Sequence, residues 1–106
     1  MKIHQVCYFL ALYEERSFTR AAKRCGVAQP SLTRAIQQLE HEFGGQLFER
    51  SKSTIRLTNL GMIVRPDFVR IEQAVADVAQ KIAVFNAARA AEPHSNTGEA
   101  LCVRQR

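Results

Sequence analysis

One apolar repeat in the second half of the chain limits what the rest can fold into. From Val64 onward, apolar residues recur at alternating spacings of four and three, which is typical of a heptad seam on one face of an α-helix. The seam consists of Val64, Phe68, Ile71, Val75, Val78, Ile82 and Phe85. We expect a helix over about 59–91, roughly 45–50 Å long at 1.5 Å per residue. Residues 1–58 then remain for a compact domain in front of it.

A helix of this length with so narrow an apolar stripe favours a partner helix, because one small domain cannot cover all of it. The seven seam residues are therefore predicted to form a dimer interface between two copies of the chain. Pro66 lies inside the pattern and is expected to kink the helix or to mark a restart near its first turn. Residues 92–98 have the composition of a hinge, and residues 100–103 look like the opening of a strand.

Residues 1–58 begin with two predicted helices. The first covers about 3–15, where apolar residues recur at helical spacing. Its stripe consists of Ile3, Val6, Cys7, Leu10 and Tyr13, widened by Phe9. The second helix is short, about 18–25, with Ser17 as its N-cap. Gly26 ends it, because glycine supplies the backbone freedom that a tight turn needs.

A third helix and a hairpin follow the glycine turn. The helix starts near Gln29, with Pro30 in its first turn, and Gly44 marks its end. Its buried face consists of Leu32, Ile36, Leu39 and Phe43. Ala28 is a poor cap, which leaves N–H groups at the start of this helix for water or for a ligand such as phosphate. After Gly45, two short strand-like segments around a polar tip predict a small β-hairpin.

A short helix, a glycine turn, a second helix and a basic hairpin together are the arrangement of a winged helix-turn-helix. The predicted fold class is mainly α. It has a winged helix-turn-helix domain over 1–58, a long dimerising linker helix over 59–91 and a hinge within 92–106.

The positive charge is concentrated in the first half of the chain. Residues 1–60 contain nine Lys and Arg against five Asp and Glu, whereas residues 61–106 contain six against five. Nucleic acid is the usual partner of a compact domain with such a basic excess. A soluble basic protein with no polyanionic partner is the alternative that charge alone leaves open.

The outward face of the third helix carries side chains that can read DNA. Opposite the buried stripe, the helix presents Pro30, Arg34, Gln37, Gln38 and His41, flanked by Gln29 and Thr33. In the major groove, arginine can bond guanine through two N–H groups, and glutamine can pair with adenine. A solvated polar face is the ordinary alternative. Contacts to the DNA backbone are expected from Ser17, Thr19 and Arg20 at the second helix and from Arg50, Lys52 and Ser53 on the hairpin.

Over roughly 1–90 the chain also resembles the LysR-type transcriptional regulators. The matching segments are 17–22, 29–34, 46–50 and 56–58, together with Phe9, Ile36, Leu39, Glu40, Gly44 and Gly61. The resemblance implies a winged helix-turn-helix, a dimerising linker helix and binding to interrupted palindromic promoter sites. In the family the segment that matches 29–34 enters the major groove, which carries over to Gln29, Pro30, Ser31, Thr33 and Arg34. Family wings often place an arginine at the tip; this sequence has Ser53 near that position and Lys52 beside it.

Members of that family continue into a two-lobed domain that senses a small molecule. This chain stops just after a segment, near 101–103, that resembles the first strand of that domain. We therefore expect a DNA-binding fragment or truncated form that binds promoter DNA as a homodimer, with higher oligomers in full-length relatives. A small-molecule effector is expected only if the missing domain were present. The alternative is a truncated dimerisation or interaction module that acts as a dominant-negative subunit without reading promoters itself.

Catalytic, metal-binding and membrane functions are not expected. The sequence offers no Ser/His/Asp or Cys/His arrangement, no paired carboxylates and no glycine-rich phosphate loop, so we expect neither an enzyme nor a cofactor. The three cysteines are widely spaced and form no C-x-x-C pair, which disfavours a disulfide framework and a zinc site and fits a reducing cytoplasm. No apolar run is long enough to cross a bilayer, and the N-terminus lacks the features of a secretion signal.

Overall fold

The computed structural model describes residues 1–90. The hinge and the strand-like segment predicted within 92–106 lie outside the described residues. The elements are α1 (Ile3–Glu15), α2 (Phe18–Cys25), α3 (Gln29–Phe43), β1 (Phe48–Arg50), β2 (Ile55–Leu57) and α4 (Asn59–Ala88). The predicted fold class is confirmed, and α4 ends at Ala88 rather than at about 91.

Helix α1 lies at the centre of the domain and packs against α2, α3, α4 and β2. Neighbours therefore surround it on several sides, and its buried surface is wider than the predicted stripe. Leu12 and Ala11, outside that stripe, are fully buried, whereas Ile3, inside it, is 49% exposed. The core around α1 consists of Val6, Phe9, Leu10, Ala11, Leu12, Ala21, Ala22, Leu32, Ile36, Leu39, Leu47, Phe48 and Phe68.

The turn between α2 and α3 forms as the local sequence predicts. The Ser17 hydroxyl accepts a hydrogen bond from the N–H of Arg20 at 3.1 Å, which caps α2. Gly26 adopts a left-handed backbone with φ of 71°, and Gly44 ends α3 with φ of 75°. Ala28 provides no side-chain cap for α3, as expected.

The hairpin is held to α3 by one carboxylate. Strands β1 and β2 are antiparallel, with Phe48 opposite Leu57 and Arg50 opposite Ile55. Glu40 of α3 accepts hydrogen bonds through Oε2 from the N–H groups of Leu47 at 2.8 Å and Phe48 at 3.4 Å. The base of the wing is therefore fixed relative to α3.

Helix α4 begins against the hairpin and continues past the domain. The Thr58 hydroxyl caps it by accepting from the N–H of Gly61 at 3.1 Å. A side chain at Gly61 would collide with the Leu47 carbonyl oxygen, so the first turn of α4 lies directly on the chain entering β1. The helix runs through Pro66 without a break, so the predicted restart does not occur. The described residues extend over 55 × 25 × 20 Å.

The structure corrects the assignment of Phe68 to the dimer interface. Phe68 is 3% exposed, and its ring packs against that of Phe9 at 4.9 Å between centroids and that of Phe43 at 6.3 Å. Val64 and Ile71 are half-buried against the same core. The first half of the heptad seam is therefore covered by the chain's own domain, because α1 packs along α4 there.

Candidate nucleic-acid interface

The outward face of α3 forms an open depression lined by five of the predicted DNA-reading residues. These are Gln29, Pro30, Thr33, Arg34 and Gln37. All are exposed except Thr33, which is half-buried. They share one face because α3 buries the opposite side through Leu32, Ala35, Ile36 and Leu39. Ser31 is exposed in the first turn of α3 but does not line this depression.

A hydrogen bond joins the start of α2 to the start of α3. The hydroxyl of Thr19 donates to Oε1 of Gln29 at 3.0 Å. The Gln29 carboxamide is thereby oriented, and its Nε2 group remains available to donate to an acceptor. The predicted phosphate contact and the predicted base contact are thus parts of one hydrogen-bonded unit.

The wing is brought against both helices. Arg50 of β1 places its guanidinium carbon 4.4 Å from the ring centre of Phe18, the first residue of α2. Arg50 and Gln37 also line a second depression between α3 and β1, with Glu40, Gln46 and Phe48. Because Gln37 belongs to both depressions, the faces of α3 and β1 form one continuous surface.

Two arginines of α2 are engaged with the end of α1. Arg20 donates through Nη2 to the Glu15 carbonyl oxygen at 2.6 Å, where the last carbonyls of α1 lack helical donors. Arg24 lies 2.6 Å from a carboxylate oxygen of Glu14 and 3.2 Å from one of Glu15. Burial alone would lower the pKa of Arg24, but the hydrogen bonds and charges of the two glutamates outweigh it, so the pKa is raised. Arg24 thus joins α2 to α1, and a phosphate contact by Arg20 stays a prediction.

Every carboxylate in residues 1–60 has a partner within the domain. Glu14 and Glu15 bind Arg24, and Glu40 binds the backbone of β1. Glu42 binds the N-terminal ammonium group at 2.8 Å, and Glu49 lies 3.6 Å from Arg56. In contrast, Arg34 makes no ion pair within residues 1–90. The outer face of α3 is therefore a site of uncompensated positive charge, which suits a phosphate-rich ligand.

The tip of the hairpin stands apart from both depressions. Ser51 and Thr54 close it with a backbone hydrogen bond of 3.0 Å from the Ser51 N–H to the Thr54 carbonyl. Lys52 and Ser53 are exposed between them. Neither residue lines either depression, and a contact of the hairpin tip with DNA stays a prediction.

The far half of α4 carries apolar side chains that the domain does not cover. Val78, Ile82 and Phe85 are 53%, 46% and 58% exposed, and Val75 is half-buried. These are the remaining members of the heptad seam, on the part of α4 that extends from the domain. Within residues 1–90, no helix is long and apolar enough to cross a membrane, and no three His, Cys, Asp or Glu side chains are grouped to hold a metal ion.

The fold and this surface together define a winged helix-turn-helix domain with a polar helix exposed beside a basic wing. The family model for bacterial regulatory helix-turn-helix proteins of the lysR family matches residues 3–62. The chain therefore belongs to the lysR family, as the sequence resemblance implied.

Individual relatives agree with this assignment. The chain is 40% identical over 79 residues to the HTH-type transcriptional regulator BudR of Klebsiella aerogenes, a match that covers 74% of this chain and 54% of the relative. The chain thus spans about half the length of this relative. It also resembles the solved CbnR_DBD–DNA complex, with a TM-score of 0.71, 35% identity and coverage of 81% of this chain and 99% of that one. For the BenM_DBD/catB site 1 DNA complex the TM-score is 0.67, with 35% identity and coverage of 89% and 100%.

Sequence reasoning missed three parts of this site. Gln46 lines the depression beside Gln37, and Glu40 fixes the wing through backbone bonds. The contact of Arg50 with Phe18 joins the wing to α2. These features depend on how the hairpin packs against α3 and α2, which helical periodicity and capping residues do not specify. The available signal was that Glu40 and 46–50 stood among the matched family positions.

Proposed function

We propose that this chain binds double-stranded promoter DNA in a sequence-specific manner, as a homodimer, and thereby regulates transcription. The observation that carries the proposal is the outer face of α3. Arg34, without an ion pair in residues 1–90, lies there between Gln29 and Gln37, and the wing adjoins the same surface. In this arrangement α3 reads base edges in the major groove, while α2 and the wing bind backbone phosphates.

The start of α2 and the wing are suited to contacts with the DNA backbone. The start of α2 offers Ser17 and Thr19 beside its free N–H groups, which favour a phosphate. On the wing, Arg50 and Lys52 supply positive charge. Such contacts position the protein without reading sequence, so the reading role rests with Gln29, Thr33, Arg34 and Gln37.

Dimerisation is supported by the far half of α4. An exposed row of Val78, Ile82 and Phe85 at heptad spacing fits a second copy of the same helix. Two domains held in this way present two copies of α3, which matches a palindromic site. The alternative, an interaction module that does not read DNA, is not favoured, because the depression on the outer face of α3 is lined by polar side chains and an arginine, with no carboxylate.

The same proposal implies where the chain acts, that it is not an enzyme, and what an effector would require. The chain acts in the cytoplasm, where the DNA of a bacterium lies, and it acts by binding rather than by catalysis. A small-molecule effector would need a further domain, beyond the described residues. The relatives that match are transcription regulators, which supports the regulatory role.

The direct test is selection of bound duplexes from a random pool. We expect enrichment of an interrupted palindrome with its half-sites about one or two helical turns apart. Enrichment of a single, asymmetric half-site would contradict the dimer, and no enrichment at all would contradict sequence reading.

A further inference from the structure

A second basic cavity lies on the opposite side of the hairpin from α3. It is open to solvent, has a volume of about 500 Å³ and is bordered by the end of α1, the two strands and the first turns of α4. Three arginines line it, Arg16, Arg56 and Arg65, together with the ring of Tyr13 and one carboxylate, Glu49. Since successive strand residues face opposite sides, Glu49 points here while its neighbour Arg50 faces α2 and α3.

Two of the three guanidinium groups have no carboxylate partner in residues 1–90. Arg16 and Arg65 both lie against Tyr13, with their guanidinium carbons 5.7 Å and 4.9 Å from its ring centre. The third, Arg56, is 3.6 Å from Glu49, and both are largely exposed. The cavity therefore holds an excess of positive charge, with two guanidinium groups positioned by one aromatic ring.

The backbone at Arg16 is unusual for an arginine. Its φ of 56° and ψ of 32° are left-handed, and it is the one residue other than glycine with a positive φ among the described residues. Glycine would adopt this conformation without strain. This conformation ends α1, because the Arg16 N–H bonds the Leu12 carbonyl at 2.8 Å, and the Arg16 side chain at this helix end lines the cavity.

We propose that this cavity binds a phosphate group, and that in the DNA complex this group is a backbone phosphate flanking the site read by α3. Guanidinium groups bind phosphate oxygens through paired N–H donors, and a pair of them suits one phosphate. Arg16 directly precedes Ser17 at the start of α2, and Arg56 belongs to the wing. The cavity therefore continues the basic surface beyond the wing. The choice of DNA as the source rests on the proposed function; a free phosphate ion offers the same chemistry.

The first experiment measures the salt dependence of DNA binding for the double variant Arg16→Gly/Arg65→Gln. Arg16→Gly relieves the left-handed strain, so the variant should unfold at a temperature no lower than the original chain. A dimer that loses one phosphate contact per cavity should bind any duplex with a log–log salt slope shallower by about 2. The matched control is Arg70→Gln, which removes a charge from α4 outside the cavity, where Arg70 pairs with Asp67. This control should leave the slope unchanged.

The second experiment separates the two phosphate sources without DNA. Inorganic phosphate is titrated at constant ionic strength while the guanidine N–H signals of Arg16 and Arg65 are followed by NMR. Saturable shifts of the Arg16 and Arg65 signals, with no such shift at Arg70 outside the cavity, would establish free phosphate as a ligand, even if no duplex were bound and the proposed function failed. A shallower salt slope without such shifts would establish the DNA backbone as the source. An unchanged slope together with no saturable shift would overturn the proposal.

Discussion

At the scale of single residues, the side chains on α3 differ in whether they already form hydrogen bonds or ion pairs within the chain. Gln29 accepts a hydrogen bond from Thr19, so one of its two polar groups is occupied before any ligand arrives. Arg34 has no ion pair in residues 1–90, so its full set of donors faces outward. A bidentate arginine–guanine pair is also the commonest specific contact in the major groove. We therefore expect Arg34 to contribute most to sequence preference.

Arg34→Ala should weaken binding to the selected palindrome by about 2–6 kcal/mol, because a bidentate arginine–guanine pair contributes about 1–3 kcal/mol and the dimer uses two. Binding to unrelated duplexes should fall far less. Arg34→Lys keeps the charge but loses the planar fork, so it should recover only part of the loss. Titrations against the selected and a scrambled duplex measure both quantities. Equal losses on both duplexes would instead identify Arg34 as a phosphate contact.

Thr19→Val should weaken the base preference opposite Gln29. The valine removes the hydroxyl that holds Oε1, so the carboxamide becomes able to rotate and present either group. We expect the preference at one position of each half-site to weaken by up to about tenfold, the equivalent of one hydrogen bond. Thr19→Ser retains the hydroxyl and is the control. Repeating the duplex selection with each variant gives the result; an equal effect at every position would contradict this role.

At the scale of elements, local chemistry was sufficient to predict the ends of α2 and α3. Ser17, Gly26 and Gly44 fixed the ends of α2 and α3 in the sequence, and these elements lie where they were predicted. In contrast, Leu12 and Phe68 are buried for reasons that only the packing of distant elements supplies. Helical periodicity identifies an apolar face but not which neighbour covers it. The same limit applies to the site, where α3 was predicted and the contacts of Glu40 and Arg50 were not.

Phe68→Ala should destabilise the domain by about 3–5 kcal/mol, because it removes a ring buried against Phe9 and Phe43. The control, Val84→Ala, truncates a side chain that is 58% exposed and should cost less than about 0.5 kcal/mol. Urea unfolding followed by circular dichroism measures both. A Phe68 variant as stable as the control would place this residue outside the core.

Val78→Asp combined with Ile82→Asp should convert the dimer to a monomer, because it places charge in the exposed part of the seam. The domain should stay folded, since neither side chain belongs to the core. Val84→Asp is the control: residue 84 is as exposed as residue 85 but lies about 200° around the helix from residue 82. Sedimentation distinguishes the two states. A dimer that survives the double change would show that another surface forms the interface.

At the scale of the whole molecule, the division of charge predicts a steep response of DNA binding to salt. If α2 and the wing of both copies neutralise about six phosphates, the log–log slope should be near −5. If each copy also bound one phosphate in the cavity lined by Arg16, Arg56 and Arg65, the slope would be steeper by about 2. Fluorescence anisotropy over a series of salt concentrations gives this slope. A value shallower than about −2 would mean that the basic excess of residues 1–60 does not face the DNA.

The close fit of Gly61 against Leu47 makes the long helix a rigid lever. Thr58 caps α4, and Glu40 fixes the wing to α3. The long helix and the surface proposed to contact DNA therefore move together. The helix is about 45 Å long, so a rotation of roughly 10° about its far end displaces the DNA-binding surface at the other end by about 8 Å. This exceeds the rise of about two base pairs along DNA. The angle at which two such levers cross would therefore set the half-site spacing that the protein accepts, without any change in the residues that touch a base.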